Sequence, residues 1–340
     1  MKAVIVSAFG TSDVLRVVDR AEPLPGPGQA VVQVEAAGAG YVDVMARKGD
    51  YLPLSEPGFV PGVEAAGTVT AVGEGVDEHW VGQRVFAVTG GGAYAESVVV
   101  DEDGLVRLPE GVSAADAVAL GVNALVAGLG LKRAGLAEGE RVLVRGAGGG
   151  IGLMAVQLAA LYGGEVTAVT SSPERGERLR GLGATDVQVR TRAEDGSADS
   201  PDAHDSHGAH DSYDSYDSYD SYDSYDVIVD PVAGPELGRH IGMLRPNGRY
   251  ILAGAAGGAP ASDTFDSVLT SYHNSPTVLA FSLNSIDTGT RGAEAAELFA
   301  RAAGGDLVAV VDEQIPLAEA HRAHERLEST PVFGKITLTP

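Results

Sequence analysis

The chain has no cysteine among its 340 residues. This absence excludes disulfide bonds, thiolate nucleophiles and any zinc or iron–sulfur site that is held by cysteine. Aromatic residues make up only 6%, with a single tryptophan, and lysine and arginine number 24 against 47 acidic residues. Nucleic-acid binding is not expected, because recognition of phosphates requires clustered basic side chains.

No long apolar run opens the sequence. Met1-Lys2 leads into a short apolar segment at residues 3–6, which is too short for a signal peptide or a membrane span. We therefore expect a cytoplasmic protein that does not associate with membranes. The length is sufficient for two domains with separate cores.

One stretch carries charge of a single sign and few aliphatic residues. Residues 194–226 are rich in Asp, Ser and His, contain no lysine or arginine, and end in five Asp-Ser-Tyr triplets. A period of three cannot form an amphipathic helix with a period of 3.6, so we predict a disordered insertion. His204, His207 and His210 are spaced to bind a transition metal, but a solvated tract is favoured, because ordering a flexible site costs entropy.

The most informative stretch is a glycine-rich turn between a strand and a helix. Residues 142–144 are an apolar run typical of a buried parallel strand, and helical spacing of apolar residues follows from Ile151 to Tyr162. Gly163-Gly164 then end the helix before a β-branched run at 166–170. A unit of this kind places the turn at a helix N-terminus, where a pyrophosphate binds.

The turn reads Ala147-x-Gly149-x-x-Gly152 rather than a complete G-x-G-x-x-G. Gly149 would let the backbone approach the phosphates, and Gly152 would let the helix pack close to the strand. A plain glycine loop is the alternative, but the flanking strand and helix favour dinucleotide binding. We predict pyrophosphate contacts at Ala147, Gly149, Gly150, Ile151 and Gly152.

An acidic residue is missing where NAD-binding sites usually have one. About 20 residues beyond the glycines, the chain has Thr170-Ser171-Ser172, and Arg175 follows. Hydroxyl groups with a nearby guanidinium suit a 2′-phosphate, although Arg175 could also be an ordinary solvated helix residue. We predict NADPH as the cofactor, with Ser171, Ser172 and Arg175 at its 2′-phosphate.

Short β-branched runs punctuated by glycine dominate the first third of the chain, at residues 67–72, 84–88 and 93–100. This pattern is typical of a small all-β barrel. From Ser113 the pattern becomes helical as far as Leu131, and this helical segment is expected to lead into the dinucleotide-binding domain.

Several segments together carry a family resemblance, at residues 37–43, 49–51, 61–67, 82–85, 146–152, 182–184, 225–232 and 334–338. In order and separation they resemble the medium-chain dehydrogenase/reductase superfamily, specifically its zinc-free quinone oxidoreductase branch. The resemblance covers nearly the whole chain. It implies an α/β fold in which a GroES-like β-barrel catalytic domain (residues 1–120 and 285–340) receives an inserted Rossmann domain, a doubly wound parallel sheet (residues 121–284). It also implies a homodimer through the edge strand from Thr277 to Leu283.

The resemblance also bears on zinc. Zinc-dependent members of the superfamily have a Cys where this chain has Gly40 and a His where it has Val63. A catalytic zinc requires three protein ligands, so we expect a site without metal.

Hydride transfer requires the nicotinamide to be held against an electron-poor carbon, with a proton donor nearby. The resemblance places Tyr41 beside the nicotinamide, either as the acid or only as a wall of the pocket. It places Tyr51 at the cleft in contact with substrate. It also places Asn123 where relatives have a small hydroxyl residue. These three are the catalytic candidates.

The resemblance adds cofactor contacts outside the glycine turn. Ala253 and Gly254 follow a strand, and Phe281 and Ser282 are expected to touch the nicotinamide. Lys335 is a candidate on the phosphate side, with a plain surface lysine as the alternative. Thr191, flanked by Arg190 and Arg192, is matched to a tyrosine that contacts the adenosine phosphate in relatives.

Taken together, the sequence predicts a zinc-independent, NADPH-dependent oxidoreductase that transfers hydride to a small-molecule quinone or α,β-unsaturated carbonyl. Two alternatives stay open. One is an enoyl-thioester or enone reductase of a biosynthetic pathway. The other is a nucleotide-binding family member with a non-redox role.

Overall fold

The computed structural model describes residues 1–51, 56–190, 224–329 and 332–340. The N-terminal part is mainly strand, as the glycine-punctuated pattern predicts. Its elements are β1 (Lys2–Val6), β2 (Leu15–Asp19), β3 (Gln29–Ala39), α1 (Tyr41–Lys48), β4 (Glu64–Val72), β5 (Arg84–Val88), β6 (Ser97–Asp101), β7 (Leu105–Arg107) and α2 (Ala114–Ala134).

The middle of the chain alternates strands and helices. Its elements are β8 (Arg141–Val144), α3 (Gly150–Leu161), β9 (Glu165–Thr170), α4 (Pro173–Gly181), β10 (Asp186–Val189), β11 (Tyr225–Asp230), α5 (Leu237–Ile241), β12 (Leu244–Leu252), α6 (Thr264–Thr270) and β13 (Thr277–Ala280). The six strands are parallel, in the order β10-β9-β8-β11-β12-β13. Numbered from β8, this is the 3-2-1-4-5-6 order of dinucleotide-binding sheets, so the predicted Rossmann domain is confirmed.

The last elements are α7 (Thr288–Ala303), β14 (Val311–Pro316), α8 (Ala320–Ser329) and β15 (Lys335–Thr339). β15 pairs with β3 in a sheet of order β14-β15-β3-β4-β5-β7, and β6 pairs with β3 as well. The C-terminal strands therefore complete the sheet that the N-terminal part begins, as an inserted domain requires. The proposed boundary at residue 121 falls on a break within α2, where Gly121 has non-helical dihedral angles.

Close contact between β3 and β4 depends on a missing side chain. A Cβ on Gly67 would lie 1.9 Å from the carbonyl oxygen of Gln33. The register of the two strands also shifts between Val34 and Ala36. This irregularity bends the sheet so that it can curve, as bulges do in small barrels.

Within the part of the chain that the structure describes, α2 is the helix long and apolar enough to cross a membrane. However, 83% of its apolar window is buried, and the helix packs against α3, α7 and β4. This is the environment of a core helix that joins two domains.

The prediction that residues 194–226 are disordered is wrong at the C-terminal end of this range. Residues 194–223 lie outside the described part, but Tyr225 and Asp226 begin β11 and Tyr225 is fully buried. Asp226 accepts hydrogen bonds from the backbone N–H of Arg141 (2.8 Å) and from the guanidinium of Arg245 (3.0 Å). The triplet repeat concealed this boundary, because Tyr225, its last tyrosine, has the same flanking residues as the four tyrosines before it.

Candidate dinucleotide-binding and active site

The glycine turn joins the end of β8 to the start of α3. Gly146 has a left-handed backbone (φ 56°), and Gly149 immediately precedes the helix with an extended backbone. The N–H of Ala147 donates to the carbonyl of Val169 (3.1 Å), which attaches the turn to β9. The first N–H groups of a helix have no intrahelical partner, so the turn presents the feature that binds a phosphate.

Two glycines of the turn leave no room for a side chain. A Cβ on Gly152 would lie 2.2 Å from the backbone carbonyl oxygen of Gly146. A Cβ on Gly150 would lie 2.4 Å from Nδ2 of Asn123. The structure therefore places Asn123 directly beneath the start of α3, where it is buried and donates to the carbonyl of Ala119 (3.1 Å). An amide does not transfer protons at neutral pH, so this placement suits positioning better than acid–base chemistry.

The residues predicted for the 2′-phosphate lie at the carboxyl end of β9, where Ser172 precedes α4. Arg175 reaches back to the glycine turn: its Nη1 lies 3.4 Å from where a Cβ on Gly148 would be. The same nitrogen donates to the carbonyl of Val332 (3.5 Å), and the guanidinium lies 5.8 Å from the ring centre of Phe333. Arg175 and the turn are thus brought together.

The neighbouring strand adds Arg190 at this end of the sheet. Its backbone N–H donates to the carbonyl of Thr170 (2.8 Å), and its side chain is 58% exposed. Thr191 and Arg192, also considered from the sequence, lie outside the described residues. The two residues between β9 and α4 are Ser171 and Ser172, and the first acidic residue after them is Glu174 in the first turn of α4.

The carboxyl ends of β12 and β13 bring the other predicted contacts together. Ala253 donates its N–H to the carbonyl of Asp230 (2.8 Å), and a Cβ on Gly254 would lie 2.6 Å from the carbonyl oxygen of Pro231. Ser282 is exposed. The Phe281 ring is buried against α2, 3.9 Å from where a Cβ on Gly130 would lie, so the predicted contact of Phe281 with the nicotinamide stays a prediction and would involve its backbone.

Tyr41 lies at the start of α1, and Tyr51 lies in the loop after its end. Tyr41 is the first helical residue and is partly exposed. The hydroxyl of Tyr51 accepts a hydrogen bond from Nδ2 of Asn284 (3.1 Å). This contact joins the loop after α1 to the segment after β13, next to Ser282, and Asn284 has no local sequence signal that marks it.

Asp43 holds two turns of the catalytic domain together. One of its carboxylate oxygens accepts from the N–H of Gly40 (2.9 Å) and the other accepts from the N–H of Gly62 (3.0 Å). We call this arrangement the Asp43 clamp. Burial raises the pKa of Asp43 to about 6, against the opposing effects of these hydrogen bonds and of the Lys335 ammonium, while Glu64 raises it further.

A second layer of buried polar groups supports the clamp. The hydroxyl of Tyr94 lies 3.4 Å from the Asp43 carboxylate and 3.2 Å from Nε2 of His324. Burial, with a smaller contribution from the guanidinium of Arg47, lowers the pKa of His324 to about 3, so the imidazole is neutral. Tyr94 and His324 are 230 residues apart in sequence, which is why the sequence pattern did not connect them.

The phosphate-side prediction for Lys335 is wrong. Its ammonium forms a buried ion pair with Glu64 (2.5 Å), and Glu64 also accepts from the N–H of Val122 (2.8 Å), just after the break in α2. The reason is strand alternation. The backbone of Gly334 donates to the carbonyl of Gly148 in the glycine turn (3.0 Å), so the next side chain points into the catalytic domain.

Gly40 and Val63, the two positions compared above with zinc ligands, have no side chain that can bind a metal. Gly40 has none, and a Cβ there would lie 3.6 Å from the Lys335 ammonium and 3.7 Å from the Asp43 carboxylate. Across the residues with described coordinates, no three His, Cys, Asp or Glu side chains are grouped to hold a metal. The Lys335 ammonium supplies the positive charge beside the Asp43 and Glu64 carboxylates.

Comparisons with known proteins agree with this geometry. Residues 26–110 match the family model "Alcohol dehydrogenase GroES-like domain", and residues 207–338 match the model "Zinc-binding dehydrogenase". The chain is 31% identical over 348 residues to the quinone oxidoreductase of Pseudomonas aeruginosa, covering 100% of this chain and 99% of that protein.

The chain belongs to the quinone oxidoreductase branch of the medium-chain dehydrogenase/reductase superfamily.

Two further relatives of this quinone oxidoreductase-like chain show how far the similarity extends. It is similar to the Escherichia coli quinone oxidoreductase solved in complex with NADPH, with a TM-score of 0.85, 25% identity and full coverage of both chains. It is also 30% identical over 262 residues to the human synaptic vesicle membrane protein VAT-1 homolog. That match covers 75% of this chain but only 61% of the length of the human protein.

The Asp43 clamp of this quinone oxidoreductase-like chain predicts an acidic limb in activity. Below about pH 6 the carboxyl becomes protonated and accepts weaker hydrogen bonds from Gly40 and Gly62. We expect kcat/KM to fall below that value along the curve of one titrating group, towards the lower activity of the protonated form. Asp43→Asn has no such ionisation and should show lower activity without this limb. An identical limb in Asp43→Asn would contradict the prediction.

Stability should show the opposite pH dependence at this residue. The folded pKa of Asp43, about 6, lies above the ordinary value of 3.8, so the folded state binds the proton more tightly than the unfolded state. The contribution of Asp43 to stability is therefore greatest below about pH 4 and is lost as pH rises through 6. Melting temperatures of both forms between pH 4 and 7 separate this effect from the change in activity.

Proposed function

We propose that this protein is a zinc-independent, NADPH-dependent reductase that transfers hydride to a quinone or an α,β-unsaturated carbonyl. The observation that carries the proposal is the glycine turn at the centre of the parallel sheet, with Arg175 beside it. The names of two relatives support the same reading, since one is a quinone oxidoreductase and the other is a quinone oxidoreductase complexed with NADPH.

The residues present fit the cofactor. The close packing of the turn on α3 at Gly152 and the unpaired N–H groups at the start of α3 suit a pyrophosphate. Ser171, Ser172 and Arg175 offer hydroxyl and guanidinium donors for a 2′-phosphate. Ala253, Gly254 and Ser282 line the carboxyl ends of the next strands. NADPH supplies the hydride when it is bound.

The chain itself supplies position and a proton. The Asp43 clamp fixes the backbone immediately before Tyr41, so that this side chain is held at the start of α1. The Tyr41 hydroxyl is the candidate to give a proton to the reduced substrate, and Tyr51, held by Asn284, is the candidate for substrate contact. The ammonium of the Lys335–Glu64 ion pair lies beside Gly40, one of the positions compared with zinc ligands. This supports chemistry without zinc.

Turnover with electron-poor acceptors tests this function. The protein is mixed with NADPH and then with 1,4-benzoquinone or a simple enone while the nicotinamide absorbance is followed. The proposal predicts rapid loss of that absorbance with at least one acceptor, and the same rate after treatment with a chelator. Tight NADPH binding without oxidation by either acceptor would contradict it.

Arg175→Ala is expected to weaken NADPH binding far more than NADH binding. Loss of a charge-assisted hydrogen bond costs about 1.5–3 kcal/mol, or roughly 10- to 150-fold in affinity. Titration of each nucleotide measures the effect. Arg180→Ala is the matched control, because Arg180 is exposed on the same helix and its loss changes the charge equally. Equal losses for NADPH and NADH in Arg175→Ala would show that Arg175 does not bind the phosphate.

We further propose a homodimer formed through β13. This strand is the edge of the six-stranded sheet, and Val278 on it is 44% exposed. Pairing of two such edges would bury unpaired backbone groups. Apart from its own second copy, the protein would bind small molecules, and it would be located in the cytoplasm. Analytical ultracentrifugation of the full chain and of a Val278→Lys variant tests the assembly.

A further inference from the structure

Arg145 is a buried charge at the carboxyl end of the central strand. It follows β8 and precedes Gly146 of the glycine turn, and its side chain is only 5% exposed. One guanidinium nitrogen lies 2.6 Å from the carboxylate of Asp230 and 3.0 Å from the carbonyl oxygen of Ala233. The other lies 3.5 Å from the carboxylate of Glu236, which is 41% exposed.

Asp230 gathers its partners from two neighbouring strands and one loop. It ends β11 and is fully buried. One carboxylate oxygen accepts from the N–H of Val232 (2.7 Å) and of Ala233 (3.0 Å), and the other binds Arg145 and the hydroxyl of Tyr250 on β12. Arg145, Asp230 and Tyr250 form what we call the Asp230 cluster.

The loop held by this cluster, residues 231–234, lies against the glycine turn. A Cβ on Gly146 would lie 2.7 Å from a methyl group of Val232. Ala233 has a left-handed backbone (φ 56°), which a non-glycine residue adopts only where its surroundings enforce it. On the other side, a Cβ on Gly254 would meet the carbonyl oxygen of Pro231 at 2.6 Å.

This location is the point where strand order reverses. β8 and β11 are the two central strands, and the connections that leave their carboxyl ends run to opposite sides of the sheet. Ligands of such sheets bind in the crevice outside these carboxyl ends. The loop 231–234 is therefore one wall of the crevice, and the glycine turn is the other.

A buried ion pair is weak evidence of a purely stabilising role. Well-packed apolar side chains of similar volume often stabilise a core as well or better, because burying two charges costs their hydration. An ion pair with all its partners in place instead enforces one geometry. The geometry enforced here is that of the loop 231–234.

We infer that the Asp230 cluster is a positioning device that holds the loop 231–234 as a preformed wall of the cofactor crevice. Arg145, Asp230 and Tyr250 thereby set the affinity for the dinucleotide without touching it. This inference rests on the proposed cofactor site at the glycine turn. Since the wall does not involve the 2′-phosphate end, the cluster should affect NADPH and NADH equally, unlike Arg175.

Tyr250→Phe is the sharpest test, because it removes one donor to Asp230 and leaves the ion pair and the ring in place. We expect Kd for both nucleotides to rise about tenfold, with kcat at saturating NADPH within twofold of the wild-type value. Arg145→Lys keeps the charge but replaces the planar guanidinium that reaches Asp230, Ala233 and Glu236 with a single ammonium, and should show a similar loss. Tyr272→Phe is the control, because it removes the hydroxyl of a tyrosine that is 75% exposed and precedes the amino end of β13, and both of its Kd values should stay within twofold.

The outcomes separate this inference from the proposed function. A lowered melting temperature in Tyr250→Phe with unchanged Kd values, measured well below that temperature, would show a structural role only and overturn the inference. Loss of NADPH affinity alone would also overturn it, since that pattern belongs to the phosphate end. If the wild-type chain binds neither nucleotide, both the proposed function and the inference fall.

Discussion

Lys335→Met should lower the free energy of unfolding by about 3–5 kcal/mol, because it leaves one member of a buried ion pair without its partner. The Glu64 side chain is fully buried and the Lys335 side chain is 7% exposed. After the substitution, Glu64 would keep only the N–H of Val122 as a described hydrogen-bond donor. Urea unfolding, with the midpoint and slope both measured, reports the change.

Two further variants make this prediction specific. Glu64→Gln combined with Lys335→Met removes both charges, and most of the lost stability should return because no unpaired charge remains buried. Lys2→Met breaks the ion pair between Lys2 and Asp19, which is of similar length (2.6 Å) but has both side chains exposed. The loss in the free energy of unfolding should therefore be below about 1 kcal/mol. A Lys335→Met loss no larger than that of Lys2→Met would contradict the account of this site.

Gly152→Ala should weaken NADPH binding by about 5- to 150-fold. The new Cβ would lie 2.2 Å from the carbonyl oxygen of Gly146, which is backbone and cannot rotate away. Relief of such overpacking typically costs about 1–3 kcal/mol, and the movement that relieves it displaces the turn itself. Titration of the nucleotide, with a melting curve for each variant, separates lost binding from lost folding.

The matched control for Gly152→Ala is Gly181→Ala. Gly181 is the last residue of α4, and a Cβ there would meet nothing within 4 Å. Its affinity for NADPH should equal that of the wild-type chain. If Gly152→Ala also binds NADPH like the wild-type chain, the turn does not lie against the pyrophosphate.

Local periodicity was enough to predict the part of the site that is made of backbone. The apolar strand at 142–144, the glycines and the helical spacing after Ile151 each depend on near neighbours in sequence. The structure has β8, the turn and α3 in those places. The parallel direction of the strands also follows from alternating strands and helices, because parallel strands need crossover connections.

Side-chain directions could not be predicted in the same way. Lys335 and Glu64 are 271 residues apart, so the prediction for Lys335 lacked the partner that orients it. The local sequence around Phe281 likewise did not show that its ring packs on α2. Arg145 drew no prediction at all, since its role depends on Asp230, 85 residues further on.

A paired titration of the wild-type chain with NADPH and NADH tests the central claim most directly. The account predicts saturable binding of both nucleotides, with NADPH binding more tightly because Arg175 and the serines at the end of β9 meet the extra phosphate. Tighter binding of NADH would contradict the assignment of the 2′-phosphate end. Binding of neither would contradict the account at its base, the glycine turn between β8 and α3.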